Sequence, residues 1–172
     1  MLFRSSKIKD FNYIALRYFN AVGYAADGSI RSKEKNPQNL LPLIMETITG
    51  QREILHVFGN DYDTPDGTCV RDYIHVEDLA DAHVLAIKKL LSNGDSQIIN
   101  LGTEKGTSVL EIIKSVERVS GKKVNYDFAP RRAGDPANVI ATSAKAAEVL
   151  GWHAKYTDID EIVKTVWNIE KC

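Results

Sequence analysis

Two polar loops carry the side chains best suited to chemistry. "HVFGNDYDTPDGTCVRDYIHVEDL", residues 56–79, runs from one apolar segment through turn-forming Asp, Gly, Pro and Asn to Arg71, at the start of the next apolar segment. "FAPRRAGDPANV" places Arg131, Arg132 and Asp135 in a second loop bounded by Pro and Gly. Paired loop arginines suit diphosphates, because a planar guanidinium makes bidentate, charge-assisted bonds to phosphate oxygens. A plainer reading stands beside this one. The first loop is then a solvated turn, Arg71 an ion-pair partner of Asp72 or Glu77, and Asp135 a partner of the neighbouring arginines. The length of the loop weighs toward function, since loops of about a dozen residues inside a compact domain often carry it. Asp135 also has the chemistry of a ribose-hydroxyl acceptor.

Other candidates are weaker. Gly102 and Gly106 in "NLGTEKGTSV" lack the G-x-G-x-x-G spacing and read as a plain strand-to-helix turn. His75 and His83 read as a strand-end and a helix-face histidine, without a second ligand at metal spacing, so no metal site is expected. No Ser/His/Asp nucleophile arrangement has a supporting context.

The elements that must position these loops follow from periodicity. "NYIALRYFN" reads as one strand, buried on both faces as in a parallel sheet. "NLLPLIMETITG" reads as a helix with Pro42 in its first turn and Gly50 as its stop. "EILHVFG", "VRDYIHV" and "QIINLG" read as strands. From Val76 a helix is predicted, with Leu79, His83, Ala86, Ile87 and Leu90 facing inward and Asn93-Gly94 as its end. "TSVLEIIKSVERVSG" predicts a helix opened by a Ser108/Glu111 capping box, with Val109, Ile112, Ile113 and Val116 buried. "KVNYDFAP" predicts a half-buried strand with Val124, Tyr126 and Phe128 on one face. Two last helices are expected, Ser143 to Leu150 closed by Gly151, and one from Asp158 with Glu161 completing a capping box. The alternation argues for an α/β architecture.

With 172 residues, the chain suffices for one domain or a piece of a larger one. Its 22 basic and 23 acidic side chains, net charge -1, remove the broad attraction that non-specific nucleic-acid binding needs. Cys69 and Cys172 are too few for a disulfide framework. Without a targeting signal or a membrane-length apolar run, a cytoplasmic location is expected.

The runs "LRYFNAVG", "QNLLPLI", "VFGNDYDTPDGTCVRDYIHVEDLADAH", "INLGTEKGTSVLEII" and "FAPRRAGDPANV" together resemble the UDP-glucose 4-epimerase family of extended short-chain dehydrogenase/reductases, in the family's order and over almost the whole chain. The resemblance implies the family's C-terminal part: Rossmann-like strands near 13–20 and 97–101 plus a small mixed α/β substrate domain, treated as one unit over 1–172, with the N-terminal NAD-binding half absent. It places Asn20 at the hexose, Asn39 and Leu40 at the sugar diphosphate, the backbone near His56 and Phe58 at the uracil, Arg71 and Arg132 at the diphosphate, and Asp135 at the ribose. Val109 joins these as a substrate-binding position. Tyr18 and Ala21 fall near the cofactor, Ala21 where many members carry proline. Val139 falls beside the hexose, where a small side chain leaves room for an N-acetyl group, so UDP-N-acetylhexosamines join UDP-glucose and UDP-galactose as expected ligands.

The family's reaction exchanges a hydride at the sugar C4 with NAD, and its members supply a Tyr-x-x-x-Lys group and a glycine-rich loop. Here "SSKIKDF" offers Ser5, Ser6 and Lys7 without the tyrosine, and Met1 falls inside the helix that would follow it. The expected function is therefore the UDP-hexose-binding half of a 4-epimerase of galactose metabolism, inactive alone. Two other readings are a non-catalytic nucleotide-sugar or partner-binding module that complements a separate NAD-binding half, and a reductase of the same type acting on another nucleotide sugar. The "GNDYDTPDGT" insertion argues against the last. Apolar strands left without neighbours predict a dimer or larger self-association.

Overall fold

The structure, a computed structural model, describes residues 11–92 and 94–171. The expectations placed on Met1, Ser5, Ser6, Lys7, Asn93 and Cys172 lie outside these residues. Eight strands and five helices are seen among them, in an α/β arrangement with four parallel pairings between strands distant in sequence.

"NYIALRYFN" forms two strands where one was expected. β1 (Ile14–Arg17) pairs in parallel with β5 (Gln97–Asn100), while β2 (Asn20–Val22) pairs in parallel with β4 (Val70–His75). The chain changes sheets between Tyr18 and Phe19, both exposed, and β1 stays half-buried because β5 is its only sheet neighbour among the described residues.

β4 is the hub. Its C-terminal half carries β2, and its N-terminal half carries β6 (Gly106–Ser108, antiparallel) and β8 (Asn138–Val139, parallel). β6 lies where a plain turn was expected. Gly106 permits it, since a Cβ there would lie 2.5 Å from Val70 Cγ1 and 2.6 Å from Ile140 Cδ1. The buried Asp72 carboxylate ties this corner together, accepting from the Thr103 N–H (3.0 Å), the Thr103 hydroxyl (2.6 Å) and the Ala141 N–H (3.2 Å).

The third sheet joins β3 (Leu55–Phe58) to β7 (Tyr126–Ala129). In β3, Leu55 and Val57 are buried while His56 and Phe58 face outward. The inward face expected for β7 is not found: Val124 is buried just before the strand, but Tyr126 and Phe128 are exposed and pack edge to face at 5.8 Å. As a two-stranded ribbon's outer member, β7 has no layer above its aromatics.

Helices α1 (Leu40–Ile48), α3 (Val109–Ser120) and α5 (Ile159–Glu170) cover this side. Ile44, Ile112, Ile113, Val116, Ile162 and Val163 form its dry centre, each contributing roughly 1.5–3 kcal/mol by leaving water. The capping box of α3 is present, with Ser108 Oγ accepting from the Glu111 N–H (3.0 Å) and Glu111 Oε2 from the Ser108 N–H (2.7 Å). At α5 the cap differs from expectation, Asp158 accepting from the Asp160 N–H and not sharing a box with Glu161.

A second cluster joins α2 (Val76–Leu91), α4 (Ala144–Leu150), β5 and Trp152. The face of α2 is rotated from its expected setting. Leu79, Ala82 and Ala86 are buried, whereas His83 and Ile87 are exposed, because β4 and the Trp152 segment dock on the Asp78 side. Asp78 accepts from the N–H groups of Lys155 and Tyr156, both at 3.0 Å.

Candidate functional site

The start of α1, the outer face of β3, the start of β4 and the 130–136 loop surround one cavity of about 440 Å³. That lies within the range of small-molecule sites, roughly 300–1,000 Å³.

The electropositive side of the cavity is built from three elements. Arg71 sits on β4 with a side chain only 15% exposed; its Nη1 donates to Val70 O at 2.8 Å and its Nη2 to Asp135 Oδ1 at 2.7 Å. Arg132 lies across the Phe58 ring at 4.6 Å, and its Nε stands 3.5 Å from Asp135 Oδ2. The ion-pair partner of Arg71 is therefore Asp135, not Asp72 or Glu77: Asp72 is consumed by its own loop, and Glu77 lies on α2 with Tyr156. The third element is the N-terminus of α1. Asn39 caps it in extended backbone without a side-chain cap bond, no acidic residue occupies its first turn, and Gln38, Asn39 and Leu40 line the cavity, so the positive end of the helix dipole lies beside it.

The two neighbouring arginines do not act together. Arg131 turns away, donating from Nε to Asp61 Oδ1 at 2.6 Å and lying over Tyr62 at 4.2 Å. Its hydrogen bond holds the Asp61 carboxyl below the ordinary carboxylate range. The guanidiniums that converge are Arg71 and Arg132, 61 positions apart in the chain and brought together by Asp135.

Other walls are more neutral. Asn20 Nδ2 donates to Asp72 O at 3.2 Å, and Tyr73 is buried at the cavity floor, where desolvation pushes its phenol above the ordinary value of 10. His56 Nδ1 lies 2.5 Å from Asp127 Oδ1, across the β3–β7 pair. Val109, at the first turn of α3, closes one end.

Of the sequence-derived site residues, Asn20, Asn39, Leu40, His56, Phe58, Arg71, Val109, Arg132 and Asp135 line this cavity. Val139 does not; it is half-buried on β8, opposite Arg71 in the ladder. Tyr18 is exposed, edge-on to His83 at 6.3 Å, and Ala21 lies at a neighbouring pocket with Gly23 and Tyr24. Gln38, Val57, Cys69, Tyr73, Ala133 and Gly134 also line the cavity and were not singled out from sequence. Alternation along β3 and β4 makes Val57 and Tyr73 look like core, and nothing in the sequence says that the core ends at a ligand cavity there.

The 59–69 loop is an ordered wall. Burial pushes the Asp66 carboxyl up, but bonds from Ser108 and Thr68 outweigh this and leave it below the ordinary range. Its oxygens accept from Ser108 Oγ at 2.5 Å and from the Thr68 hydroxyl at 2.7 Å. The loop is thereby pinned to the start of α3. Among the described residues no group of three or more His, Cys, Asp or Glu could hold a metal ion, and no helix is long and apolar enough to cross a membrane.

The chain is similar to known proteins throughout. It is 46% identical over 156 residues to the UDP-glucose 4-epimerase of Lacticaseibacillus casei, covering 91% of this chain and 47% of that protein. A crystal structure of UDP-glucose 4-epimerase from Brucella ovis with NAD matches 96% of this chain and 51% of its own, at 47% identity and a TM-score of 0.92. The Bifidobacterium longum enzyme in complex with NAD+ and UDP matches 99% and 52%, at 39% identity and a TM-score of 0.86. The chain thus spans about half the length of the relatives it matches. The model of the family described as GDP-mannose 4,6 dehydratase matches residues 4–166, and to that family, in which it resembles a C-terminal half of UDP-glucose 4-epimerase, this chain belongs.

Proposed function

We propose that this chain is the UDP-hexose-binding half of a UDP-glucose 4-epimerase, holding UDP-glucose and UDP-galactose by their diphosphate. The observation that carries the reading is the convergence of Arg71, Arg132 and the N-terminus of α1 on one cavity. Two guanidiniums and a helix N-terminus fit the charge and the oxygen-rich geometry of a diphosphate. Phe58 and the β3 backbone at His56 and Val57 offer a flat, partly apolar edge for a uracil, and Asp135 offers a carboxylate for ribose hydroxyls.

The implied cofactor is NAD, as in the related enzymes. These 172 residues contain neither a G-x-G-x-x-G loop nor a Tyr-x-x-x-Lys group, so NAD finds no fitted seat among them and no hydride or proton step is assigned to them. Tyr18 and Ala21, both outside the main cavity, are the positions proposed to approach it when an NAD-binding half is present. The role of this chain is to bind and orient. UDP-N-acetylhexosamines are proposed as further ligands on the family resemblance alone, since Val139 does not line the cavity, and the exposed apolar face of α2 and β5 supports self-association or docking on such a half.

Calorimetric titration with UDP and then UDP-glucose tests the reading. Micromolar binding is expected, weakened roughly tenfold to a hundredfold by Arg132→Ala or Arg71→Ala, since each removes a hydrogen-bonding charge. A folded chain that binds neither ligand sinks it.

A further inference from the structure

Asp135 occupies the place where an anion would bind. Its Oδ1 holds Arg71 Nη2 at 2.7 Å and its Oδ2 lies 3.5 Å from Arg132 Nε, so one carboxylate stands between the two guanidiniums of the cavity. The Arg71 and Asp135 side chains are 15% and 22% exposed, which limits screening by solvent. Nη1 of Arg71 is engaged by Val70 O at 2.8 Å, so both terminal nitrogens of Arg71 already hold an acceptor in the empty cavity. A bare anion entering here meets Asp135 as a like charge and must displace it from Arg71. A displaced carboxylate accepts hydrogen bonds and has none to donate, so it is stable only where the newcomer brings hydroxyl donors of its own. The turn that carries it, with the Asp135 N–H donating to Arg132 O at 3.2 Å and Gly134 at a φ of +79°, keeps the carboxylate close to the cavity when it leaves Arg71.

We propose that Asp135 is a specificity-determining placeholder: it occupies the diphosphate seat of the empty cavity, discriminates against free phosphate and pyrophosphate, and yields to a diphosphate joined to a hydroxyl-bearing sugar. This rests on the nucleotide-sugar reading above and adds to it a mechanism of selection between anions.

The test is calorimetric titration of the chain with pyrophosphate and with UDP, for the native sequence, Asp135→Asn and Asp135→Ala, each checked for its native thermal melt. Pyrophosphate is expected to bind roughly tenfold tighter or more to both variants, because a like charge is removed and two guanidiniums are released. UDP is expected to gain nothing or to weaken, so that the preference for UDP over pyrophosphate falls at least about tenfold. If pyrophosphate binding is unchanged, absent or weaker in whichever variant remains folded, the placeholder is overturned. Failure of the native chain to bind UDP, with pyrophosphate still tightened by the variants, overturns the nucleotide-sugar reading and leaves the placeholder standing.

Discussion

At the scale of single residues, His75 shows how one buried group couples stability to pH. Its ring is fully buried at the end of β4, stacks on Tyr156 at 3.9 Å, accepts from the Glu77 N–H at 3.2 Å and lies 3.3 Å from Thr165 Oγ1. Desolvation holds its pKa below the ordinary 6.5, against the opposing pull of Glu77 and Asp78. The Tyr156 phenol donates to Glu77 and is pushed up to about 12 by that bond, so it remains protonated at neutral pH. The unfolded chain therefore binds more protons than the folded one at pH values just under 6.5. The contribution of His75 is complete above pH 6.5 and is lost as pH falls through the lower, folded-state value. Urea unfolding at pH 7.5 and 5.5 is expected to show a larger loss of stability for the native chain than for His75→Gln; equal losses would place the titration elsewhere.

Among elements, the 59–69 loop carries the clearest energetic argument. Gly67 sits at a φ of +78°, and a Cβ there would lie 2.2 Å from Asn60 O, a backbone atom with no freedom to move aside. Asp66 gathers the Thr68 N–H, the Thr68 hydroxyl and the Ser108 hydroxyl. Removing that acceptor leaves these donors unsatisfied beside the start of α3. Asp66→Ala is expected to cost about 2–3 kcal/mol in urea unfolding and to weaken UDP binding, because the wall behind Cys69 and Arg71 loosens. A stability change under about 0.5 kcal/mol would show the loop to be the plain solvated turn that its composition alone suggests.

For the whole molecule, the apolar side chains left outside the core matter most. Val84, Ile87 and Leu91 project from α2, Leu91 at 81% exposure, while Ile98 on β5 and the adjacent Tyr18 and Phe19 are also exposed. These residues flank the β1–β5 pair, whose two strands have no other sheet neighbour among the described residues. Apolar surface beside an unpaired strand favours association. Sedimentation velocity is expected to show self-association that grows with concentration and is reduced by Ile87→Lys with Leu91→Lys. A chain that stays monomeric at high concentration would refute this.

What the sequence determined on its own was local. Turn residues, the capping box at Ser108, the helical stripe of α3 and the alternation in β3 are written in neighbouring residues; loop chemistry singled out Arg71, Arg132 and Asp135, and family resemblance added the other six cavity residues that no periodicity could reveal. Tertiary structure alone decided where "NYIALRYFN" divides between sheets, which side of α2 faces inward, and that β6 forms, because each depends on a partner about 35 to 80 positions away or on the element packed above it. It also separated the adjacent Arg131 and Arg132 and joined Arg132 to Arg71 instead. Charges adjacent in sequence take their partners from the fold, and here Asp61 and Asp135 made that choice.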